Sequence, residues 1–224
     1  MASRRLSYGE DRSQFGELSG SGPVAVLIHG GFWRDRYDLR LMDPLVDDLV
    51  GRGWGAWNIE YRRLGSGGGV PETLDDVAAA IDFLAELDVD RSRVVTIGHS
   101  AGGHLAAWAA TREHPRVAVT AVVSQAGVLD VRRAWELGLS DDVARDFLRG
   151  DVSRCALASP IERLPLGVPA LLVHGAQDDT VPLEISERFA RESGATLVVE
   201  PEEDHFGHLD PDNPMWQAVI KWLL

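Results

Sequence analysis

Apolar runs with almost no polar interruption limit the possible folds most. They lie at residues 24–29, 55–61, 93–98, 117–124 and 170–174, with a weaker one at 196–200. Such runs are typical of strands in a parallel sheet that is covered on both faces. Segments with helical spacing of apolar residues separate them, at 38–50, 73–87, 101–111, 183–193 and 214–224. Strands that alternate with helices predict a doubly wound, mainly parallel α/β sheet with helices on both faces.

The chain organisation follows from this alternation. With 224 residues, one α/β domain over residues 1–224 is expected. A loop is predicted at 19–23, and the Thr73-Leu74-Asp75-Asp76 segment predicts a capped start for the second helix. The connection at 127–169 is the longest, with helical pieces near 131–137 and 141–149. It predicts a small lid insertion, and the alternative is a surface insertion that does not contact substrate.

Charge and cysteine content restrict the expected binding partners and the expected cellular compartment. The formal net charge is −13, and an acidic surface repels phosphate backbones and anionic lipids, so neither nucleic acid nor a membrane is expected as partner. The single Cys155 excludes an internal disulfide and suits the cytoplasm. The first residues show no secretory signal, and no apolar run is long enough for a membrane span. A homodimer is left open.

A G-x-S-x-G motif supplies a candidate nucleophile. Gly98-His99-Ser100-Ala101-Gly102 follows a predicted strand and opens a predicted helix. This is the context of a nucleophile elbow, in which a sharp turn needs small neighbours and exposes the serine hydroxyl. The helix N-terminus behind it favours negative charge. The motif therefore indicates that Ser100 is a catalytic nucleophile.

A second glycine motif follows the first apolar strand. The segment at 29–33 reads HGGFW. A tetrahedral intermediate needs N–H donors aimed at its oxyanion, and glycines let the backbone approach closely. We expect the backbone N–H groups of Gly31, Phe32 and Ala101 to form an oxyanion hole. His29 precedes the serine in the chain, so it is interpreted as a residue that supports this loop.

The acid and the base of a triad each have two candidates. In this fold the acid and then the histidine follow the serine in the chain. Asp178 and Asp179 follow the carboxyl end of the 170–174 strand, and open α/β sheets bind ligands at the carboxyl ends of their strands. His205 and His208 follow the next strand. Position alone leaves both pairs open.

Five motifs occur in one order: HGGFW (29–33), EYRR (60–63), GHSAGGHL (98–105), HGAQDDTVP (174–182) and DHFGHLDP (204–211). Together they resemble the α/β-hydrolase superfamily, in its branch of kynurenine formamidases (arylformamidases) and hormone-sensitive-lipase-like esterases. The resemblance extends from about Tyr8 onward. It implies Asp178 as the acid, from the pattern HGxxDxxVP, and His205 as the base, from the HF pair. It also implies that residues 60–62 brace the oxyanion loop.

These motifs predict a serine hydrolase that needs neither metal nor cofactor. The expected substrates are small carboxylic esters or aryl formamides, cleaved through an acyl-enzyme. A serine peptidase of the same fold and a non-catalytic binding protein remain alternatives. Trp33 and Trp135 are candidate substrate-binding residues, with Phe32 beside them, and the alternative is that they are core or rim residues.

Overall fold

A single eight-stranded sheet organises the molecule. The computed structural model describes residues 3–224. In space the strands follow the order β1-β2-β4-β3-β5-β6-β7-β8. In the chain they are β1 (Arg4–Ser7), β2 (Phe15–Gly20), β3 (Pro23–Ile28), β4 (Gly55–Ile59), β5 (Asp90–His99), β6 (Ala121–Gln125), β7 (Ala170–Gly175) and β8 (Thr196–Glu200). All neighbouring strands from β4 to β8 in this order pair in parallel, which confirms the predicted doubly wound sheet.

The two strands β1 and β2 were not predicted from the sequence. They pair with each other antiparallel, and β2 pairs antiparallel with β4. Both are short, and β1 is largely exposed at the sheet edge, so neither carries an apolar run that marks a strand. The loop predicted at 19–23 was wrong at Ser19 and Gly20, which belong to β2, and at Pro23, which begins β3.

Helices cover both faces of the sheet, as predicted. They are α1 (Asp43–Gly51), α2 (Glu72–Asp82), α3 (Ala101–Ala110), α4 (Val131–Glu136), α5 (Leu139–Phe147), α6 (Cys155–Ala158), α7 (Leu183–Ser193) and α8 (Pro214–Leu223). Residues of α1 and α8 pack on one face, and those of the other helices pack on the opposite face. In β3, Ala25 and Leu27 pack on the face that α1 and α8 cover, whereas Val24 and Val26 pack on the opposite face. This alternation explains the uninterrupted apolar run, because both faces are buried.

The predicted cap of the second helix was wrong. Helix α2 begins at Glu72, and no side chain caps its N-terminus. The Thr73 hydroxyl instead donates to the carbonyl of Arg62, and Asp76 forms an ion pair with the Arg62 guanidinium at 2.6 Å. Tertiary partners therefore take the side chains that the local pattern assigned to the helix end.

The connection between β6 and β7 is helical throughout much of its length. It contains α4, α5 and α6 and short 3₁₀ turns at Val152–Arg154 and Pro160–Arg163. Ser140, Asp141 and Asp142, at the start of α5, have φ between 48° and 57°. Within residues 3–224 no helix is both long and apolar enough for a membrane crossing.

Candidate active site

The turn from β5 into α3 presents Ser100. Strand β5 ends at His99 and α3 begins at Ala101, so the expected strand–turn–helix context is present. Ser100 itself has φ 56° and ψ −120°, a strained backbone region that non-glycine residues rarely adopt. A Cβ on Gly102 would lie 1.9 Å from the carbonyl oxygen of Ile28. Only glycine therefore lets this turn approach the neighbouring strand so closely.

The loop after β3 lies against the same turn. A Cβ on Gly30 would lie 3.0 Å from Cβ of Ser100 and 2.8 Å from the carbonyl oxygen of His99. Gly31 and Phe32 follow with φ of 114° and 50°. Both residues line the cavity that Ser100 lines. The absence of a side chain at position 30 brings these backbone groups next to the candidate nucleophile.

A buried network holds this loop from behind. His29 is fully buried, and its Nε2 lies 3.0 Å from Oε1 of Glu60. Glu60 also accepts hydrogen bonds from the backbone N–H groups of Tyr61 and Leu39, and the Tyr61 hydroxyl donates to the carbonyl of His29. Burial raises the pKa of Glu60, but the His29 hydrogen bond and charge and the Tyr61 N–H together lower it. His29 thus supports the loop and lies outside the cavity lining.

The two candidate acids have different surroundings. The Asp178 side chain is fully buried, and its Oδ2 lies 2.7 Å from Nδ1 of His205. Its Oδ1 accepts the backbone N–H groups of Thr180 at 2.9 Å and Val181 at 2.8 Å. Asp179 is exposed and accepts a hydrogen bond from the Thr180 hydroxyl. The structure therefore pairs Asp178, and not Asp179, with a histidine.

The two candidate histidines are also distinguished by position. His205 lines the cavity together with Ser100. His208 is fully buried, and its ring nitrogens form no hydrogen bond with another described residue. Burial, reinforced by the neighbouring histidines, lowers the pKa of His208 well below its usual value. His208 therefore neither binds Asp178 through a hydrogen bond nor lines the cavity.

The hydrogen bonds around Asp178 determine its charge. Burial raises the pKa of this carboxyl, but His174, His205 and the Val181 N–H all favour the anion. The net effect holds the pKa of Asp178 well below its ordinary range. Asp178 is therefore a carboxylate wherever the fold is intact near neutral pH.

Ser100 and His205 open into a cavity of about 540 Å³. Its walls combine apolar and polar side chains in nearly equal parts. The apolar side chains are Phe32, Leu41, Leu137, Leu139 and Phe206. The charged ones are Arg34, Arg36 and Asp179. A cavity of this size and composition suits a small organic molecule.

The two tryptophans expected to bind substrate lie outside this lining. Trp33 is fully buried, stacks on Phe147 with ring centroids 4.2 Å apart, and donates from Nε1 to Nδ1 of His104. Trp135 is partly buried against the core, with the Arg145 guanidinium over its ring. The structure corrects both expectations, because Trp33 packs inside the core and Trp135 packs against it.

Sequence reasoning missed several lining residues. Arg34 and Arg36 directly follow the glycine loop, and Phe206 directly follows His205. Adjacency to a motif was the only signal for these residues. Leu137 and Leu139 come from the 127–169 connection, so part of that connection forms a wall of the cavity. Within this connection the sequence analysis pointed only to Trp135, which does not line the cavity.

The sequence matches the profile of a known protein family. The profile of the BD-FAE family matches residues 16–192. The chain belongs to the BD-FAE family. The match includes the glycine loop, Ser100 and Asp178, but ends before His205.

Curated relatives of this BD-FAE protein include hydrolases. It is 29% identical to esterase LipC of Mycobacterium tuberculosis over 83% of this chain and 53% of that protein. It is 26% identical to kynurenine formamidase avaC of Aspergillus versicolor over 86% of this chain and 83% of that protein. The chain thus spans about half the length of LipC and most of the length of avaC.

Solved structures share the fold of this BD-FAE protein. Esterase B from Lactobacillus rhamnosis has a TM-score of 0.82 at 19% identity, covering 99% of this chain and 83% of that one. An acetyl ester-xyloside bifunctional hydrolase from Caldicellulosiruptor lactoaceticus has a TM-score of 0.79 at 20% identity, covering 98% and 95%. These likenesses establish the α/β-hydrolase fold.

Proposed function

We propose that this protein hydrolyses small carboxylic esters through a Ser100–His205–Asp178 triad. One observation carries the proposal: Ser100, on its strained turn, lines the same cavity as His205, whose Nδ1 is bound to Asp178. An esterase and a formamidase among the curated relatives support the same reaction class.

The hydrogen bond to Asp178 defines the roles of the two nitrogens of His205. A carboxylate only accepts, so Nδ1 carries the proton and Nε2 has a lone pair. Nε2 takes the proton of Ser100 as the serine oxygen attacks the carbonyl carbon of the substrate. It then gives this proton to the leaving alcohol, and an acyl-enzyme remains. Water attacks the acyl group by the same route and releases the acid, so no cofactor is needed.

The backbone N–H groups of Gly31, Phe32 and Ala101 form the proposed oxyanion hole. None of them donates a hydrogen bond to another residue of the described 3–224 segment, so they remain available to the negative oxygen. Each such donor contributes roughly 3–4 kcal/mol to stabilising the transition state. Ala101 also begins α3, where the helix dipole favours negative charge.

The cavity indicates the substrate size. Phe32 and Phe206 place aromatic rings near Ser100 and His205, and Leu137 and Leu139 of the proposed lid limit the space for the acyl group. Short acyl esters, including aryl esters, fit such walls. Aryl formamides are a second candidate, because the formyl group is small and avaC is named a kynurenine formamidase.

Labelling with a fluorophosphonate probe tests the nucleophile. The probe should label the wild-type protein and leave Ser100→Ala unlabelled, while circular dichroism shows both folded. Ester turnover should fall by ~10⁴–10⁶ in kcat, as is typical when a triad serine is lost. Equal labelling of both proteins would overturn the assignment.

Paired variants test the acid and the base. Asp178→Asn and His205→Ala should each lower kcat by several orders of magnitude, because the proton relay is broken. Asp179→Asn and His208→Ala are the matched controls, and their kcat should fall about tenfold at most. If a control loses more activity than its partner, the two residues exchange roles.

A substrate panel separates the remaining possibilities. Each 4-nitrophenyl ester from acetate to octanoate is compared with N-formylkynurenine and a peptide amide at matched concentrations. A crowded acyl site should penalise long chains, because overpacking typically costs ~1–3 kcal/mol. Octanoate as the best substrate, without formamide turnover, would contradict a small acyl site. Preferential cleavage of the peptide would indicate a peptidase instead.

A further inference from the structure

A second histidine lies behind the proposed catalytic acid. His174, in β7, is fully buried, and its Nε2 lies 2.9 Å from the carbonyl oxygen of Val181 and 3.2 Å from Oδ2 of Asp178. Its Nδ1 lies 2.8 Å from the hydroxyl of Ser186, which is itself buried in α7. The reaction steps derived above use neither His174 nor Ser186.

The partners of His174 fix where its proton lies. Nε2 faces a carbonyl oxygen and a carboxylate oxygen, and both of these groups only accept. Nε2 therefore carries a proton, which points mainly to Val181 and is shared with Asp178. In the neutral ring Nδ1 then accepts the proton of the Ser186 hydroxyl.

His174 acts on Asp178 in two ways. It lies directly against Oδ2, the oxygen that also binds His205. It also holds the carbonyl of Val181, whose own N–H donates to Oδ1. One imidazole thus supports both carboxylate oxygens, while Ser186 fixes the tautomer that makes this support possible.

We propose that His174, oriented by Ser186, is a positioning residue that holds Asp178 in place and weakens its pull on the proton of His205. This role rests on the proposed function, because it acts through the triad. Oδ2 shares its negative charge between two N–H groups, so less of it stabilises the imidazolium of His205.

Besides its buried counter-charge Asp178, His205 has several other titratable groups around it. The ring of His99, from the end of β5, lies 4.7 Å from the ring of His205 between centroids. Burial, with the charge of His205, lowers the pKa of His99 to about 3. The titratable groups that surround the triad are His99, His174, His208, Asp179 and, in the loop of His205 itself, Asp204. Asp204 turns its Oδ1 to the N–H groups of Phe206 and Gly207.

The test removes the shared donor and follows the pH dependence of kcat/KM. The double variant His174→Phe/Ser186→Ala lacks the donor and leaves no buried hydroxyl without a partner. The activity that requires neutral His205 should then appear only at higher pH, with the acid limb raised by roughly one unit. Ser186→Ala alone, a milder change, should raise the limb by a smaller amount. A lower plateau of kcat is also expected, because Asp178 is less firmly held.

The matched control is His104→Gln. His104 is also fully buried and bonded at both ring nitrogens, to Trp33 and to the carbonyl of Ala158. It has no contact with Asp178, so its substitution should lower stability without moving the acid limb. 4-Nitrophenyl acetate is the substrate, and the rate of fluorophosphonate labelling across pH is a second readout, each taken where circular dichroism shows a folded protein.

The outcomes separate this inference from the proposed function. If labelling of the wild-type protein does not require Ser100, the proposed function fails. If labelling requires Ser100 but the double variant and Ser186→Ala keep the wild-type limb, or move it to lower pH, the role of His174 is refuted alone. A limb that rises in both variants and stays fixed in His104→Gln supports it.

Discussion

The substitution Trp33→Phe tests whether the ring after the glycine loop at 29–32 packs in the core or binds substrate. Trp33 is fully buried, stacks on Phe147 and donates to Nδ1 of His104. Its carbonyl oxygen accepts the N–H of Leu64 at 2.7 Å. Phe retains a ring for the stack but removes the donor and part of the indole.

The expected loss of stability has two parts. Nδ1 of His104 loses its donor inside the core, which costs about 1–3 kcal/mol. The smaller ring leaves a void, and each void of methyl size costs about 1 kcal/mol. Together these give a destabilisation of roughly 2–4 kcal/mol, a large share of the ~5–15 kcal/mol that is typical of a folded domain.

The assay is urea unfolding followed by circular dichroism, together with kcat/KM for acetate, butyrate and octanoate esters. Trp33→Phe should lower the unfolding midpoint and leave the ratios of kcat/KM among the esters unchanged. The matched control is Phe32→Leu, at the preceding position, where the side chain lines the cavity. It should change the ester ratios at a smaller cost in stability.

The reverse pattern would refute this reasoning. If Trp33→Phe keeps the wild-type unfolding midpoint but alters the ester ratios, the indole contacts the substrate. The side chain at position 33 would then belong to the cavity, and the packing seen against Phe147 would not describe the working protein.

Three further results are expected. Stability should fall as the pH drops below about 6.5, by about 1.4 kcal/mol per pH unit for each of His99, His104 and His208, because the unfolded state binds protons that the native state excludes. Equal urea midpoints at pH 7 and pH 5 would contradict this. The pKa is lowered to about 4 in His104, to about 3 in His99, and well below its usual value in His208. Gly102→Ala should prevent correct folding of the elbow, because its Cβ would lie 1.9 Å from the Ile28 carbonyl oxygen. Gly51→Ala is the control, because nothing lies within 4 Å of the new Cβ. It should raise the free energy of unfolding by up to about 1 kcal/mol. Similar urea midpoints for the two alanine variants would argue against the close contact at Gly102.

Local sequence patterns predicted most strands of the sheet and the turn at Ser100. The run at 24–29 predicted β3 because both faces of that strand are buried, so its side chains are apolar without alternation. The G-x-S-x-G segment predicted the turn at Ser100, because close backbone approach excludes side chains at Gly98 and Gly102. Such signals are readable because they depend on a residue's immediate neighbours and on whether its position is buried.

The tertiary structure decided what depends on residues distant in the chain. Asp178 and Asp179 are adjacent and chemically identical, and the contact with His205, 27 positions away, distinguishes them. Trp33 follows a motif at the site, but the packing of Phe147 and His104 turns its ring into the core. Strand β1 pairs at an exposed edge without an apolar run, so its partner β2, rather than its own composition, makes it a strand. Side-chain direction and long-range pairing arise only when the layers assemble, whereas the sequence by itself determined the order of the core strands along the chain and the position of the turn at Ser100.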